Sequence, residues 1–432
     1  MLVKHTEQHI ITRNSKHYKM LMQKCHQAKN IYNHGNYLIR QKFIKEDLWL
    51  RYIELEQLLK NDLEYPDYWD WNLANSSQQV LRQLDKNWKS FFNAIKDWKD
   101  HPDKYTSRPK IPKYLKKDGV MEFALTYQQL KLQNGLITFP KSMNRLTIKA
   151  QFIKLKNFIK FNACRIVPKN ERIIIEFIYT IEVPDIKKQS SFIGSIDLGI
   201  DNFATFVDNI GSKPIIINGK GLKSYNKYYN KLIASEKSKL DKTNTGNYYS
   251  HKLYRITNNR NDKMHLFMHR ASSYIINRCL DLNITTIVIG KNKGWKQEVE
   301  LRKVNNQTFV QIPYQKFINN LKYKGQEVGI QVIEVEESYT SGTSFLDEEL
   351  PIKENYNIER RIERGLFRSN DGRLINSDVN GAYQIMKKVF RDAEMPAGRG
   401  YVMNPIRVNV LMKNESFCKS RVKKLTKVNK CL

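Results

Sequence analysis

Over residues 16–45, and again over 76–99, apolar and aromatic side chains return every three or four positions, as in Val80, Leu81, Leu84, Trp88, Phe91 and Phe92. That period predicts two long helices, each with one buried face. Between them Tyr65, Tyr68, Trp69 and Trp71 form an aromatic cluster suited to core packing or to stacking on bases. The stretch Ser107-Arg-Pro-Lys-Ile-Pro-Lys-Tyr114 then breaks the pattern. Its prolines forbid helix and its basic residues nearly alternate, so it reads as an extended segment that either meets phosphates or simply links.

Residues 135–183 change period. Short β-rich runs at 136–139, 145–148, 158–167 and 172–182, broken by turn residues, predict a small antiparallel barrel or sheet. A polar, lysine-bearing stretch at 184–191 marks a boundary. Beyond it come strands at 192–196, 202–207 and 214–218, a long basic helical region at 224–281, a strand at 284–289, a helix at 314–328 and a strand at 330–335. The order βββαβαβ is that of the ribonuclease H-like fold, whose mixed sheet carries acidic residues near strand ends. A last helix at 378–390 buries Val379, Ala382, Tyr383, Met386, Val389 and Phe390 at helical spacing.

Composition narrows the class. The 432 residues are 41% hydrophobic, which supports two or three packed units and an α+β multidomain chain. No apolar run reaches the about 18 residues that suggest a membrane helix, and residues 1–12 lack the apolar stretch of a secretory signal. A soluble, cytoplasmic, nucleoid-associated protein is expected. Cys25, Cys164, Cys279, Cys418 and Cys431 are scattered without a CxxC pair, which argues against a disulfide framework or zinc ribbon and predicts reduced thiols. Lys and Arg number 74 against 43 Asp and Glu, a formal net charge of +31. Self-repulsion of that size calls for a polyanion, nucleic acid above all, with a solvated basic surface or a ribosome-associated protein as plainer readings. Residues 413–432 hold seven Lys or Arg and one acid, the pattern of a mobile basic tail.

Three carboxylates stand out against this basic background. Asp197, in Gly194-Ser-Ile-Asp-Leu-Gly-Ile200, is one acid in a short apolar strand before a turn, where an unpaired carboxylate is costly. Turn amides or a cation would satisfy it. Asp378, in Leu374-Ile-Asn-Ser-Asp-Val-Asn-Gly-Ala-Tyr383, opens the last helix, where an ordinary N-cap is the plain alternative. Glu337 follows the strand at 330–335, in Glu336-Glu-Ser-Tyr-Thr-Ser341, and the element order brings it to the same sheet edge. Such a cluster cannot stay ionised without cations, and hard oxygen ligands suit Mg²⁺, or Mn²⁺ in its place. Two ions roughly 3.5–4 Å apart would activate a water on one side of a phosphodiester and stabilise the departing sugar oxygen on the other.

Those residues carry a resemblance that covers nearly the whole chain. Gly194-Ser-Ile-Asp-Leu-Gly199, Tyr339-Thr-Ser341, Arg364-Gly-Leu-Phe-Arg368 leading to Ile375-Asn-Ser-Asp-Val-Asn-Gly-Ala382, and the helical Gln83-Leu-Asp-Lys-Asn-Trp-Lys-Ser-Phe-Phe92 are the matching motifs. On them the chain resembles the transposon-encoded TnpB (OrfB) proteins, close relatives of the miniature type V CRISPR effector nucleases. The resemblance implies an RNA-guided DNA endonuclease, whose guide RNA selects a double-stranded DNA target by pairing while the protein reads a short flanking motif. It also implies a wedge-like, oligonucleotide-binding antiparallel β-barrel (1–16 and 100–190) and a helical recognition domain (17–99). A RuvC nuclease domain of ribonuclease H-like fold (191–337 and 376–412) would carry an inserted target-strand loading segment (338–375). Asp197, Glu337 and Asp378 would be its catalytic ligands for Mg²⁺ or Mn²⁺. Arg108, Lys110, Lys113, Arg364 and Arg368 are the expected nucleic-acid contacts.

Two departures from the family pattern matter. In many members the second acid ends the strand that here reads Ile287-Val-Ile-Gly-Lys-Asn292, and this chain has Lys291 there. In a subset the glutamate instead precedes a Tyr-Thr-Ser segment, which Glu337-Ser-Tyr-Thr-Ser341 fits; strand alternation favours Glu337 over its neighbour Glu336. At Thr340-Ser-Gly-Thr-Ser344 relatives often carry zinc-ribbon cysteines, and this chain has none. No zinc is expected, and Phe345, Leu346 and Leu350 are left to hold an insertion with little core of its own.

Two functions compete: an active RNA-guided nuclease, and a nuclease-deficient guide-directed protein that binds DNA and represses transcription. Lys291 and the missing cysteines favour the second. The intact trio favours the first, because a decaying site should not spare its three acids. A self-sufficient DNA-strand transferase has no paired His and nucleophilic Tyr motif to support it, although Tyr residues number 23. A nonspecific basic nuclease or RNA-binding protein would be told apart by the lack of a defined copurifying RNA.

Overall fold

A computed structural model describes residues 1–62, 67–185, 192–242, 249–291, 311–363, 365–391 and 404–411. Packing divides the chain into two units, Met1–Glu182 and Val183–Leu432. The break falls just before the polar stretch at 184–191, most of which lies outside the described residues, as does the tail at 413–432.

The first unit opens with strand β1 (Leu2–Thr12) and helices α1 (Tyr18–Glu46), α2 (Tyr52–Asn61), α3 (Asp67–Asp70) and α4 (Ala74–Asp100). The two long helices match the sequence period to within two residues. Leu21, Cys25, Ala28, Ile31 and Ile39 of α1, and Val80, Leu81, Leu84 and Trp88 of α4, are buried. Gly35 permits close approach: a Cβ there would stand 3.0 Å from Leu84 Cδ2. Trp88 donates its indole N–H to Asn36 Oδ1 at 3.0 Å, which pairs the one polar atom of this buried ring. In the aromatic cluster Tyr68 and Trp71 are core residues, Trp69 is exposed, and Tyr65 lies outside the described residues.

Strands β2 (Phe123–Thr126), β3 (Lys131–Gln133), β4 (Leu136–Thr138), β5 (Thr147–Lys149), β6 (Phe158–Lys169) and β7 (Arg172–Glu182) complete the unit. They form two antiparallel sheets, ordered β1-β7-β6-β2 and β3-β4-β5. Strand β1 pairs with β7 over its whole length, from Leu2 opposite Glu182 to Thr12 opposite Arg172. No apolar alternation announces β1, because His5, Glu7 and His9 fill three of its five inward positions. Glu7 accepts the backbone N–H groups of Gln151 and Phe152 at 2.9 and 2.8 Å and meets His9 Nε2 at 2.7 Å.

Residues 112–121 form neither helix nor strand and lie along α1. His26, Lys29, Asn33, Asn36 and Arg40 recur three and four apart on one helix face. They donate to the carbonyls of Gly119, Lys117, Leu115 and, for the last two, Pro112, at 3.0, 2.8, 2.9, 3.1 and 2.6 Å. Asn33 also accepts the N–H of Leu115 at 2.8 Å. The grip is on the main chain, and the side chain of Lys113 stays exposed; Arg108 and Lys110, just before the segment, are exposed as well.

The second unit contains β8 (Ile193–Leu198), β9 (Asn202–Asp208), β10 (Ile215–Asn218), α5 (Lys220–Lys242), α6 (His251–Asp281), β11 (Thr286–Gly290), α7 (Tyr314–Glu327) and β12 (Gln331–Val335). It continues with β13 (Leu366–Arg368), β14 (Leu374–Asn376), α8 (Ser377–Val389) and β15 (Ile406–Val408). The expected succession is present, with the long helical region divided into α5 and α6. The sheet order is β12-β11-β8-β9-β10-β15, parallel throughout except for β9, which is antiparallel to β8 and β10. One face packs Ile196, Leu198, Ile287 and Ile289 with residues of α6 and α7; the other packs Ile193, Val207 and Val288 with residues of α8.

The insertion at 338–375 draws its core from α8. Phe345 stacks on Tyr383 with ring centroids 3.9 Å apart, and its N–H reaches Asn380 Oδ1 at 2.8 Å. Asn380 returns a bond to the carbonyl of Thr343 at 2.7 Å. Glu349 accepts the N–H of Ser344 and the guanidinium of Arg360, both at 2.8 Å. Phe345 and Leu346 are buried, while Leu350 is half-buried.

Cys25, Cys164 and Cys279 are buried free thiols; Cys418 and Cys431 lie outside the described residues. No helix among the described residues is long and apolar enough to cross a membrane.

Removing the paired contact at Leu115 gives a direct test of how the 112–121 segment is held. Asn33→Ala should lower unfolding stability by about 1–3 kcal/mol in urea melts and open residues 112–121 to limited proteolysis. Unchanged stability and protection would show that the segment is held by something else.

Candidate active site

Asp197 lies on the α8 side of the sheet because its neighbours Ile196 and Leu198 enter the opposite core. Its carboxylate comes so near the helix that a Cβ at Gly381 would stand 3.1 Å from Oδ2. Glycine there removes the obstacle. One turn earlier on α8, Asp378 opens the helix without capping it. The cap is Asn376, whose side chain accepts the N–H groups of Asp378 and Val379 at 3.1 and 3.2 Å. The carboxylate of Asp378 instead accepts an N–H from Asn202 Nδ2 at 2.5 Å.

Strand register identifies the next neighbour of Asp197. Strand β11 runs parallel to β8 with Ile289 beside Ile196, so residue 290 stands beside residue 197. Ile287 and Ile289 face α6 and α7, and Val288 faces α8. Gly290 therefore faces α8, and Lys291 turns away from it. Lys291 Nζ binds Gln315 of α7 at 2.7 Å and Glu334 at 2.8 Å, and Lys322 holds the same glutamate at 2.5 Å. The expectation that Lys291 occupies the second-acid position is thus corrected: alternation gives that place to Gly290. The space is taken by Glu337, since a Cβ at 290 would lie 2.9 Å from Glu337 Oε2 and 2.5 Å from Ile385 Cδ1. Glu336 is exposed and lies in the field of Lys388. A turn fixes the backbone of Glu337, whose carbonyl accepts the hydroxyl of Thr340 at 2.8 Å.

Asp197 feels the other two acids. Burial pushes the Asp197 carboxyl well above the ordinary range, and the charges of Asp378 and Glu337 push it further. Arg361 and the Leu198 backbone N–H act in the opposite direction. Burial also raises Glu337 to about 7. As the side chains stand, no three His, Cys, Asp or Glu groups among the described residues converge on a single ion position. The acids share a field rather than a finished cage.

The remaining expected residues are placed as follows. Arg368 is exposed on β13; Arg108, Lys110 and Lys113 are exposed in the first unit; Arg364 lies outside the described residues. Sequence reasoning did not single out Gly290, Gly381, Asn202 or Arg361. Counting alternation from Ile287 would have found Gly290; the other three depend on contacts between distant segments.

Two measurements probe this geometry. Gly290→Ala should cost about 1–3 kcal/mol of stability by overpacking, and part of that loss should vanish in a Glu337→Ala background. An identical loss in both backgrounds would mean that Glu337 does not occupy the space beside residue 290. The second concerns pH. Glu337 rises from an ordinary 4.5 to about 7, so its contribution to stability is full below about pH 4.5 and is lost as pH climbs through 7. In metal-free buffer Glu337→Gln should gain stability relative to the parent across that window, and a pH-independent difference would count against a buried carboxyl.

The probable-transposase family model OrfB_IS605 matches residues 176–296, and the Cas12f1-like TNB domain model matches 314–385. A TnpB-like protein, ORF457 of Acidianus two-tailed virus, is 25% identical over 405 residues, covering 84% of this chain and 81% of that one. Among solved structures, a Cas12f1–sgRNA–target DNA complex aligns at 17% identity over 89% of this chain and 98% of that one, with a TM-score of 0.35. The mini-RNA-guided endonuclease CRISPR-Cas_phi3 aligns at 11% identity over 93% of each chain, with a TM-score of 0.42. The first family model takes in Asp197, the second takes in Glu337 and Asp378, and the TnpB-like viral relative spans most of both chains, so the chain is similar to TnpB (OrfB) proteins along most of its length.

Proposed function

We propose that the protein is an RNA-guided DNA endonuclease that hydrolyses phosphodiesters with Asp197, Glu337 and Asp378 as ligands for Mg²⁺ or Mn²⁺. The observation that carries this reading is the coupling of three acids on one sheet face, where Asp197 feels both of the others. Three hairpin-linked strands followed by two parallel ones, with helices on both faces, support a ribonuclease H-like (RuvC) core. In this reading 191–337 and 376–412 form the nuclease domain, and 338–375 the target-strand loading segment. Residues 17–99 form the recognition domain, and 1–16 with 100–190 the wedge. A guide RNA and a double-stranded DNA target are the partners that the family and a net charge of +31 favour.

The donor set fits divalent cations. All three groups are hard oxygen ligands, and two have carboxyls raised above their ordinary range, which a nearby cation would reverse. Asp197, whose carboxyl feels both partners, would serve as a ligand together with either of them. A pairwise arrangement of that kind does not require three acids to meet at one point. When bound, the cations supply the charge that activates an attacking water and stabilises the departing sugar oxygen. The chain supplies orientation: Asn202 holds Asp378, the turn at Thr340 holds Glu337, and Gly290 and Gly381 leave the space in which the carboxylates stand. Arg361 and Arg368, both exposed, add positive charge suited to the phosphate backbone.

Alanine at Asp197, Glu337 or Asp378 should each abolish Mg²⁺-dependent cutting of a target matched to the copurifying RNA, while binding of that RNA stays nearly intact. If the parent protein binds guide and target but never cuts, the repressor reading takes over. Lys291→Glu should give no gain in cutting, because residue 291 faces Glu334 on the far side of the sheet. A large gain would show the present site to be degenerate.

A further inference from the structure

The last strand among the described residues sends one side chain toward the three acids. Arg407 of β15 donates from Nη1 to Asn202 Oδ1 at 3.0 Å, and the amide nitrogen of Asn202 donates to Asp378 Oδ2 at 2.5 Å. Among the described residues strand β15 pairs only with β10, at the sheet edge opposite β12, and two strands separate it from the acid-bearing strand β8. We propose that Asn202 is a positioning residue for Asp378 and that Arg407 sets its orientation, forming a relay that ties the final strand to the metal-binding acids. This inference rests on the nuclease reading above.

The chemistry of the three groups permits one arrangement of the amide. A guanidinium only donates and a carboxylate only accepts, so the oxygen of Asn202 must face Arg407 and its nitrogen must face Asp378. With Arg407 in place the amide cannot turn over without losing both bonds. The positive charge also polarises the amide, which strengthens its N–H as a donor to the carboxylate. An arginine in direct contact with Asp378 would compete with a metal ion for the same oxygens. One neutral amide between them keeps the cation a step away while passing on its orienting effect. Asn202 is half-buried and Arg407 is exposed, so the outer member of the relay can be changed with little damage to the core.

The test uses the full chain with its copurified RNA and Mn²⁺ as the probe, reading the Mn²⁺ concentration that gives half of the metal-dependent rise in melting temperature, alongside cutting. Asn202→Ala should raise that concentration about 10- to 100-fold with the metal-free melting temperature nearly unchanged. Arg407→Ala should raise it by a smaller factor, and Arg407→Lys should keep most of the parent response. In an Asn202→Ala background Arg407→Ala should add nothing, because the relay is already cut. An unchanged Mn²⁺ midpoint in Asn202→Ala, or an Arg407→Ala effect of equal size in both backgrounds, overturns the relay. Should Asn202→Ala fail to fold, the comparison of Arg407→Ala with Arg407→Lys decides: equal responses overturn it. Asp378→Ala separates the two levels. If it too leaves the Mn²⁺ response unchanged, the nuclease reading fails with the relay; if it abolishes the response while Asn202→Ala does not, the relay alone fails.

Discussion

Alternation along two parallel strands decides where charge can stand in the second unit. Along β8 and β11 each residue either enters the core shared with α6 and α7 or faces α8, and a carboxylate is tolerable only on the α8 side. Asp197 obeys that rule. So does the space beside it, which belongs to residue 290 and is left open by glycine. An acid from a different segment, Glu337, fills the opening from beyond β12. The outcome is a cluster whose members come from a strand, a turn and a helix, assembled because two glycines let them approach. Removing either glycine would disturb charge and packing together.

Much of this could be read from the chain. The long helices and the strand order follow from periods of 3.6 and 2 that persist over several turns or strands. Asp197 stands out as an acid in a short apolar strand, whereas Asp378 stands out through its place at the start of the last helix, within the motif Ile375-Asn-Ser-Asp-Val-Asn-Gly-Ala382. Strand β1 is not announced because Glu7 and His9 occupy inward positions that alternation expects to be apolar; His9 pairs with Glu7, and Glu7 in turn accepts backbone N–H groups from residues more than a hundred positions away. The second-acid position was misjudged by one residue, and in a strand one residue is a change of face. Asn202 and Arg407 are 205 positions apart, so no local pattern could join them.

The insertion between Glu337 and α8 shows a related limit. Its sequence offers few apolar residues and lacks the cysteines that a zinc ribbon would need, which reads as a weak core. In the folded chain it leans on Tyr383 and Asn380, residues counted with the last helix rather than with the insertion itself. Stability here belongs to a pair of segments, and a count of apolar residues in either one understates it.

The way α1 holds residues 112–121 has an evolutionary corollary. Five side chains of the helix grasp carbonyl oxygens, and a carbonyl oxygen is common to all twenty amino acids. The exposed lysines of that segment can therefore drift, gain or lose charge, and retune affinity for a polyanion while the path of the backbone stays the same. Selection on the partner and selection on the fold act on separate atoms of the same stretch.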